Sequence, residues 1–157
     1  MLKKQSVRHY LPFGYKRNLE TNEIEISESE AKVVQIIFNM YRDGYGLYDI
    51  YYHLKDKGYK TRNGIDFKPA SISVMLGNDS YIGNYTYNKS KVTKINGKRK
   101  RTKINEKDWV TIDNVFPPII DKKTFDIINE KKRFYRTLRQ TGGNYNGYKR
   151  KWFYKRY

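Results

Sequence analysis

The sequence predicts an α+β domain: three short helices in the first half, then a basic β-hairpin, a closing helix and a flexible C-terminal tail. Three observations lead there. Apolar residues recur at helical spacing behind a capping pattern near residue 27, two further helical stretches follow between glycine and proline punctuation, and after Tyr81 the period changes to that of strands around an Asn-Gly turn.

Residues 1–26 read as an N-terminal arm or linker. Leu11-Pro12-Phe13-Gly14-Tyr15 combines a fixed φ, a permissive glycine and aromatic rings, which suits a bend anchored in a core better than a helix. Ser27 followed by Glu30 makes a capping box, and Ala31, Val34, Ile37, Phe38 and Tyr41 then fall on one stripe until Gly44. Val33, Ile36 and Met40 form a second stripe beside it, so this first helix is expected to be buried on more than one side. Leu47, Ile50, Tyr51 and Leu54 predict a second helix that stops at Gly58, a residue suited to a left-handed cap. Asn63-Gly64 between Tyr59–Arg62 and Ile65–Phe67 predicts a small hairpin. Pro69 can open a third helix running to Gly77, with Ile72, Met75 and Leu76 inward and Ala70, Ser71, Ser73 and Val74 on a small, uncharged opposite face.

Ile82, Tyr85 and Tyr87 suggest strand, Asn96-Gly97 a turn, and Trp109 to Ile112 a returning strand, together a long hairpin. Pro117-Pro118 ends it, and Asp121 can cap a closing helix in which Phe125 and Ile128 face the core. No periodicity is evident beyond about Thr137, so the domain is expected over 27–136 and a basic, aromatic, flexible tail over 137–157.

Lys and Arg number 33 against 16 acids, a formal net charge of +17. The excess is localised. Residues 19–58 are acid-rich, whereas 89–107 carry a single acid, Glu106, among their many bases, and 131–157 carry none. Two separate basic runs with tyrosines set among them point to an acidic polymer as partner. There are no cysteines and only two histidines, His9 and His53, so neither a disulfide framework nor a thiolate zinc site is expected, and no cofactor is called for. No apolar run is long enough for a bilayer or a secretory signal, which leads to the expectation of a soluble cytoplasmic protein without membrane contact.

Three helices with a short joint between the second and third describe a helix-turn-helix-like core, in which the last helix enters the major groove of duplex DNA. The same helices occur in domains that bind nothing, and the charge tips the balance. Lys68, Ser71 and Ser73 on the third helix, with Lys60, Arg62 and Asn63 in the preceding turn, are placed to meet base edges. Lys89, Lys91, Lys94, Lys98, Arg99, Lys100, Arg101 and Lys103 are candidates for phosphate contacts, as are Arg8, Lys16 and Arg17 in the arm. No serine or tyrosine comes with the base and orienting group that nucleophilic catalysis needs, and the acids of 20–30 are explained by capping of the first helix, so no catalytic residue is expected.

The order of these residues resembles a known family. Pro12-Phe13-Gly14-Tyr15, Glu30 to Phe38, Gly44, Ile50, Leu54, Gly58, Thr61, Gly64, Ile72, Leu76, Asn78, Tyr81-Ile82-Gly83 and Pro118-Ile119-Ile120 together are similar to the recombinase domain of large serine recombinases, over about 12–133. The resemblance implies a helical-plus-hairpin module that binds attachment-site DNA and follows a catalytic domain carrying the serine. It also implies an oligomeric parent protein, with this fragment able to be monomeric. The family usually continues into a zinc ribbon with paired cysteines, which this sequence lacks, and often has a histidine where Phe116 stands. A basic RNA-binding or ribosome-associated module and a small basic nuclease are the rival readings.

Overall fold

The computed structural model describes residues 11–140. Leu11 to Tyr15 turn into a two-stranded antiparallel hairpin of β1 (Tyr15–Arg17) and β2 (Ile24–Ile26), in register Tyr15 to Ile26 and Arg17 to Ile24. Residues 11–26 of the segment read as an arm therefore fold back on the core, where Leu11 and Tyr15 are buried; 1–10 lie outside the described residues. Gly14 has a φ of +102° and lies so close to Val34 and the Ile119 side chain that a Cβ would clash.

Helix α1 (Glu28–Arg42) buries Ala31, Val33, Val34, Ile37 and Phe38, which is burial on two sides as its double stripe predicts. The capping box does not form. The Ser27 N–H donates to the Gly14 carbonyl at 2.9 Å, and the Glu30 carboxylate accepts instead from the Gly14 N–H at 2.7 Å. A four-residue joint, 43–46, leads into α2 (Leu47–Asp56), where Ile50 and Leu54 are buried and the Asp49 carboxylate takes the Gly46 N–H.

Two expectations fail between α2 and α3 (Pro69–Met75). The joint, 57–68, is far longer than the three- or four-residue turn of a compact helix-turn-helix. The small hairpin around Asn63-Gly64 is only a turn, closed by Thr61 N–H to the Ile65 carbonyl at 2.9 Å. Its flanks lack a partner strand because Phe67 turns down into the core, edge-on to Phe13 at 5.2 Å.

After α3 a 3-10 turn, Asp79–Ile82, capped by Asn78, places Tyr81 in the core where a strand had been expected to begin. The long hairpin then forms in two stages. β3 (Tyr85–Tyr87) pairs with β6 (Val110–Ile112), and inside that frame β4 (Ser90–Ile95) pairs with β5 (Lys98–Lys103). Asn96 and Gly97, at φ +50° and +76°, make the turn that matches strand twist. The Asp121 carboxylate accepts the Thr124 N–H at 2.8 Å and opens α4 (Lys122–Gln140), which runs past the point where periodicity fades in the sequence. Residues 141–157 of the expected tail lie outside the described residues.

The core is one cluster. Phe38 packs on Tyr81 and Phe125, and Tyr15 on Tyr81 and Phe116, with centroids 5.0–6.2 Å apart. The Tyr15 hydroxyl donates to the Ser80 carbonyl at 2.7 Å. Phe116, the departure from the family's usual histidine, fills this aromatic space and is itself buried.

Candidate nucleic-acid interface

The sequence singled out two regions, the third helix with its preceding turn and the basic hairpin. In the first, α3 anchors itself through Ile72 and Leu76, both fully buried, and presents Ala70, Ser71 and Val74 outward. Val74 is 73% exposed, an apolar side chain on the outer face of α3, and Lys68 and Asn63 before the helix are exposed as well. Sequence reasoning noted Val74 on this face without assigning it a role; its exposure is the signal that marks it.

α4 holds the C-terminal end of α3. The Lys132 ammonium donates to the Ser73 carbonyl at 2.8 Å and the Asn129 amide to the Leu76 carbonyl at 3.3 Å, while Lys131 reaches the Tyr41 carbonyl at the end of α1. A cation at a helix C-terminus offsets the negative end of the helix dipole. Desolvation lowers the Lys132 pKa, with the Arg136 charge adding to it. Sequence reasoning placed these residues in the closing helix but gave them no role, because their partners are backbone carbonyls of α1 and of the α3 end that only the packing of α4 brings near.

Arg62, expected at a base edge, spends its donors within the domain in this geometry. Its guanidinium donates to Glu30 through Nε at 2.7 Å and Nη2 at 2.6 Å, to the Leu11 carbonyl at 2.8 Å and the Pro12 carbonyl at 3.0 Å, and also to the Tyr15 carbonyl. It ties the N-terminal turn to α1, and the planar five-donor fork explains why an arginine stands there. Lys60 pairs with Asp66, whose pKa falls chiefly through that hydrogen bond. Lys16 lies 3.9 Å from Glu25, and Arg17 bonds the Asn22 carbonyl and side chain at 3.1 and 2.9 Å. Arg8 lies outside the described residues.

The second region is different. At its base Lys89 sits 3.7 Å from Asp79 and over the Trp109 ring, whose N–H bonds the Ile104 carbonyl. Beyond it β4 and β5 carry Lys91, Lys94, Lys98, Arg99, Lys100, Arg101 and Lys103, all exposed and none in an ion pair among the described residues. A row of unneutralised cations on an exposed ribbon is suited to contact with phosphate. Among the described residues no group of three or more acidic or imidazole side chains could hold a metal ion, and no helix is long and apolar enough to cross a membrane.

Comparison with known proteins shows the family and the fold. The model of the Recombinase family matches residues 28–133, about two-thirds of the chain. The chain belongs to the Recombinase family. A Bacillus subtilis (strain 168) protein assigned to the DNA recombinases is 30% identical over 130 residues, which cover 75% of this chain and 26% of that protein. Among solved structures, an LSR–DNA complex superposes with a TM-score of 0.56 at 18% identity, covering 88% of this chain and 37% of the other. A structure from work on the sequence requirements of the Listeria innocua prophage attP site gives 0.53 at 22% identity, covering 84% and 45%. This recombinase domain thus spans about a quarter of its curated relative, and its fold, mixed helices and small antiparallel sheets, is shared with these two structures.

Proposed function

We propose that this chain is the DNA-binding, non-catalytic part of a site-specific serine recombinase, and that it grips duplex DNA at an attachment site. The observation that carries the reading is the β4–β5 ribbon, with seven cations that no acid of the described residues pairs. Family membership supplies the context, and the two structural neighbours concern a DNA complex and a prophage attachment site.

On this reading α2 and α3 act in the manner of a helix-turn-helix with an extended joint, and α3 meets base edges in the major groove through Lys68, Ser71, Val74 and the adjoining Asn63. The Val74 side chain suits a thymine methyl. Ser73 contributes through its carbonyl, which α4 holds, more than through its hydroxyl. The ribbon supplies sequence-independent phosphate contacts, with Lys16 and Arg17 as lesser ones. The reacting serine belongs to another part of a longer, oligomeric protein acting in the cytoplasm.

The test is competition. The full chain, bound to labelled duplex DNA, is challenged with unlabelled duplex and with structured RNA of equal length. Preferential displacement by duplex supports the proposal, and displacement by RNA alone overturns it in favour of an RNA-binding module. Incubation with supercoiled plasmid, with and without magnesium, should leave the plasmid intact; cleavage that persists through repurification would identify a nuclease.

A further inference from the structure

The pairing register of the ribbon sorts its cations. Residues directly opposite in an antiparallel pair share a face, and successive residues alternate. Ser90 with Lys103, Val92 with Arg101, and Lys94 with Arg99 therefore form one face; the Lys91, Lys100 and Lys98 pairs form the other. Four cations stand on the first face and three on the second. Neither face is apolar, and among the described side chains neither packs on the body of the domain: every β5 residue is exposed, and Val92 on β4 is 60% exposed.

A ribbon that lay flat on one strand of a duplex would need cations on one face only. Its other face would then bear cations without an anion, and in this register that is costly. On the first face Lys94 stands directly opposite Arg99, and like charges directly opposite destabilise a ladder; on the second Lys91 is the diagonal neighbour of Lys100, and Lys98 and Lys100 stand side by side along one strand. Residues 89–103 contain no acid to relieve them. An isolated two-stranded ribbon is already marginal in water. Six residues at about 3.4 Å each give an arm roughly 20 Å long, and the major groove of B-DNA, about 12 Å wide, admits a two-stranded ribbon.

We infer that the β4–β5 ribbon inserts into the groove of a single duplex, so that both of its faces meet phosphates at once, one row on each wall. This rests on the DNA-binding reading above and specifies how the ribbon is engaged.

The experiment compares the two faces in the full chain. One variant carries Lys94→Gln, Arg99→Gln and Arg101→Gln; the other carries Lys91→Gln, Lys98→Gln and Lys100→Gln. Binding of a labelled duplex oligonucleotide of arbitrary sequence is measured across a potassium chloride series. Each lost contact lowers the salt slope of log K by roughly 0.9, so either variant should lower it by up to about 2.7 and the combination by the sum. A loss confined to one face overturns the inference, because the ribbon would then lie flat. So does a stoichiometry of two duplexes per chain, which would make the ribbon a bridge. Charge-retaining variants with Lys and Arg exchanged at the same positions should keep the parental slope, and failure to do so would mean that the loss reflects a damaged hairpin. If the parental chain itself binds no duplex, the functional reading fails before the faces are compared.

Discussion

The aromatic cluster of Tyr15, Phe38, Tyr81 and Phe116 and the β4–β5 ribbon sit a few residues apart in sequence at Tyr81 and Ser90, yet nothing that fixes one fixes the other. In the cluster every ring is buried, and the one hydroxyl donated inward, that of Tyr15, has a carbonyl to meet it. Burial decides which residues stand there. In the ribbon the strand order is set by the turn and the ladder alone, and charge decides the rest. The contrast teaches that stability and affinity should be separable in this recombinase domain: changes in the cluster should unfold it, and changes in the ribbon should leave it folded and unable to hold DNA.

Phe38→Ala should give the largest effect. Phe38 has no exposed surface, and truncating a buried phenylalanine costs about 3–5 kcal/mol, a large part of a small domain's stability. Urea titration would measure it, and a loss below about 1 kcal/mol would mean that the cluster is loosely packed. Arg62→Ala comes next. Several charged hydrogen bonds disappear and Glu30 is left without its guanidinium, so we expect a loss of about 2 kcal/mol with little change in the salt slope of binding. The opposite pattern, full stability with a binding defect, would restore Arg62 to the DNA-reading surface.

The tyrosines give a pH test. Burial raises the pKa of both Tyr15 and Tyr81 well above the ordinary value of 10.0. The neutral ring is the form the fold favours, so their contribution is complete below about pH 10 and falls as pH rises past it, each deprotonation adding up to about 1.4 kcal/mol per pH unit. Tyr81→Phe should flatten the alkaline limb of a stability profile; an unchanged limb would show that other groups drive alkaline unfolding. Last, replacing Lys98 to Arg101 with glutamine should alter stability by no more than about 0.5 kcal/mol, the usual range for surface changes, while weakening binding to all duplexes alike. Loss of discrimination between a selected site and scrambled DNA would move the base-reading role from α3 to the ribbon.

Much of this was legible in the sequence. Helical spacing from Ala31 to Tyr41, the stop at Gly58, Pro69 as a first helical residue, the Asn96-Gly97 turn and the Asp121 cap each follow from local rules, because the groups they satisfy lie within a few residues. The basic character of 89–103 is likewise a sequence property, and so is the order of residues that marks the family. What the sequence alone did not determine depends on partners far along the chain. Glu30 looked like a cap for its own helix, but Gly14, 16 residues earlier, and Arg62, 32 residues later, claim its carboxylate. Arg62 looked like a base reader in the turn before the third helix, and Lys131 and Lys132 like ordinary bases of the closing helix, until packing put them against backbone carbonyls at distances of 50 to 90 residues. A charged side chain takes its role from the nearest group it can satisfy, and only the tertiary fold decides which group that is.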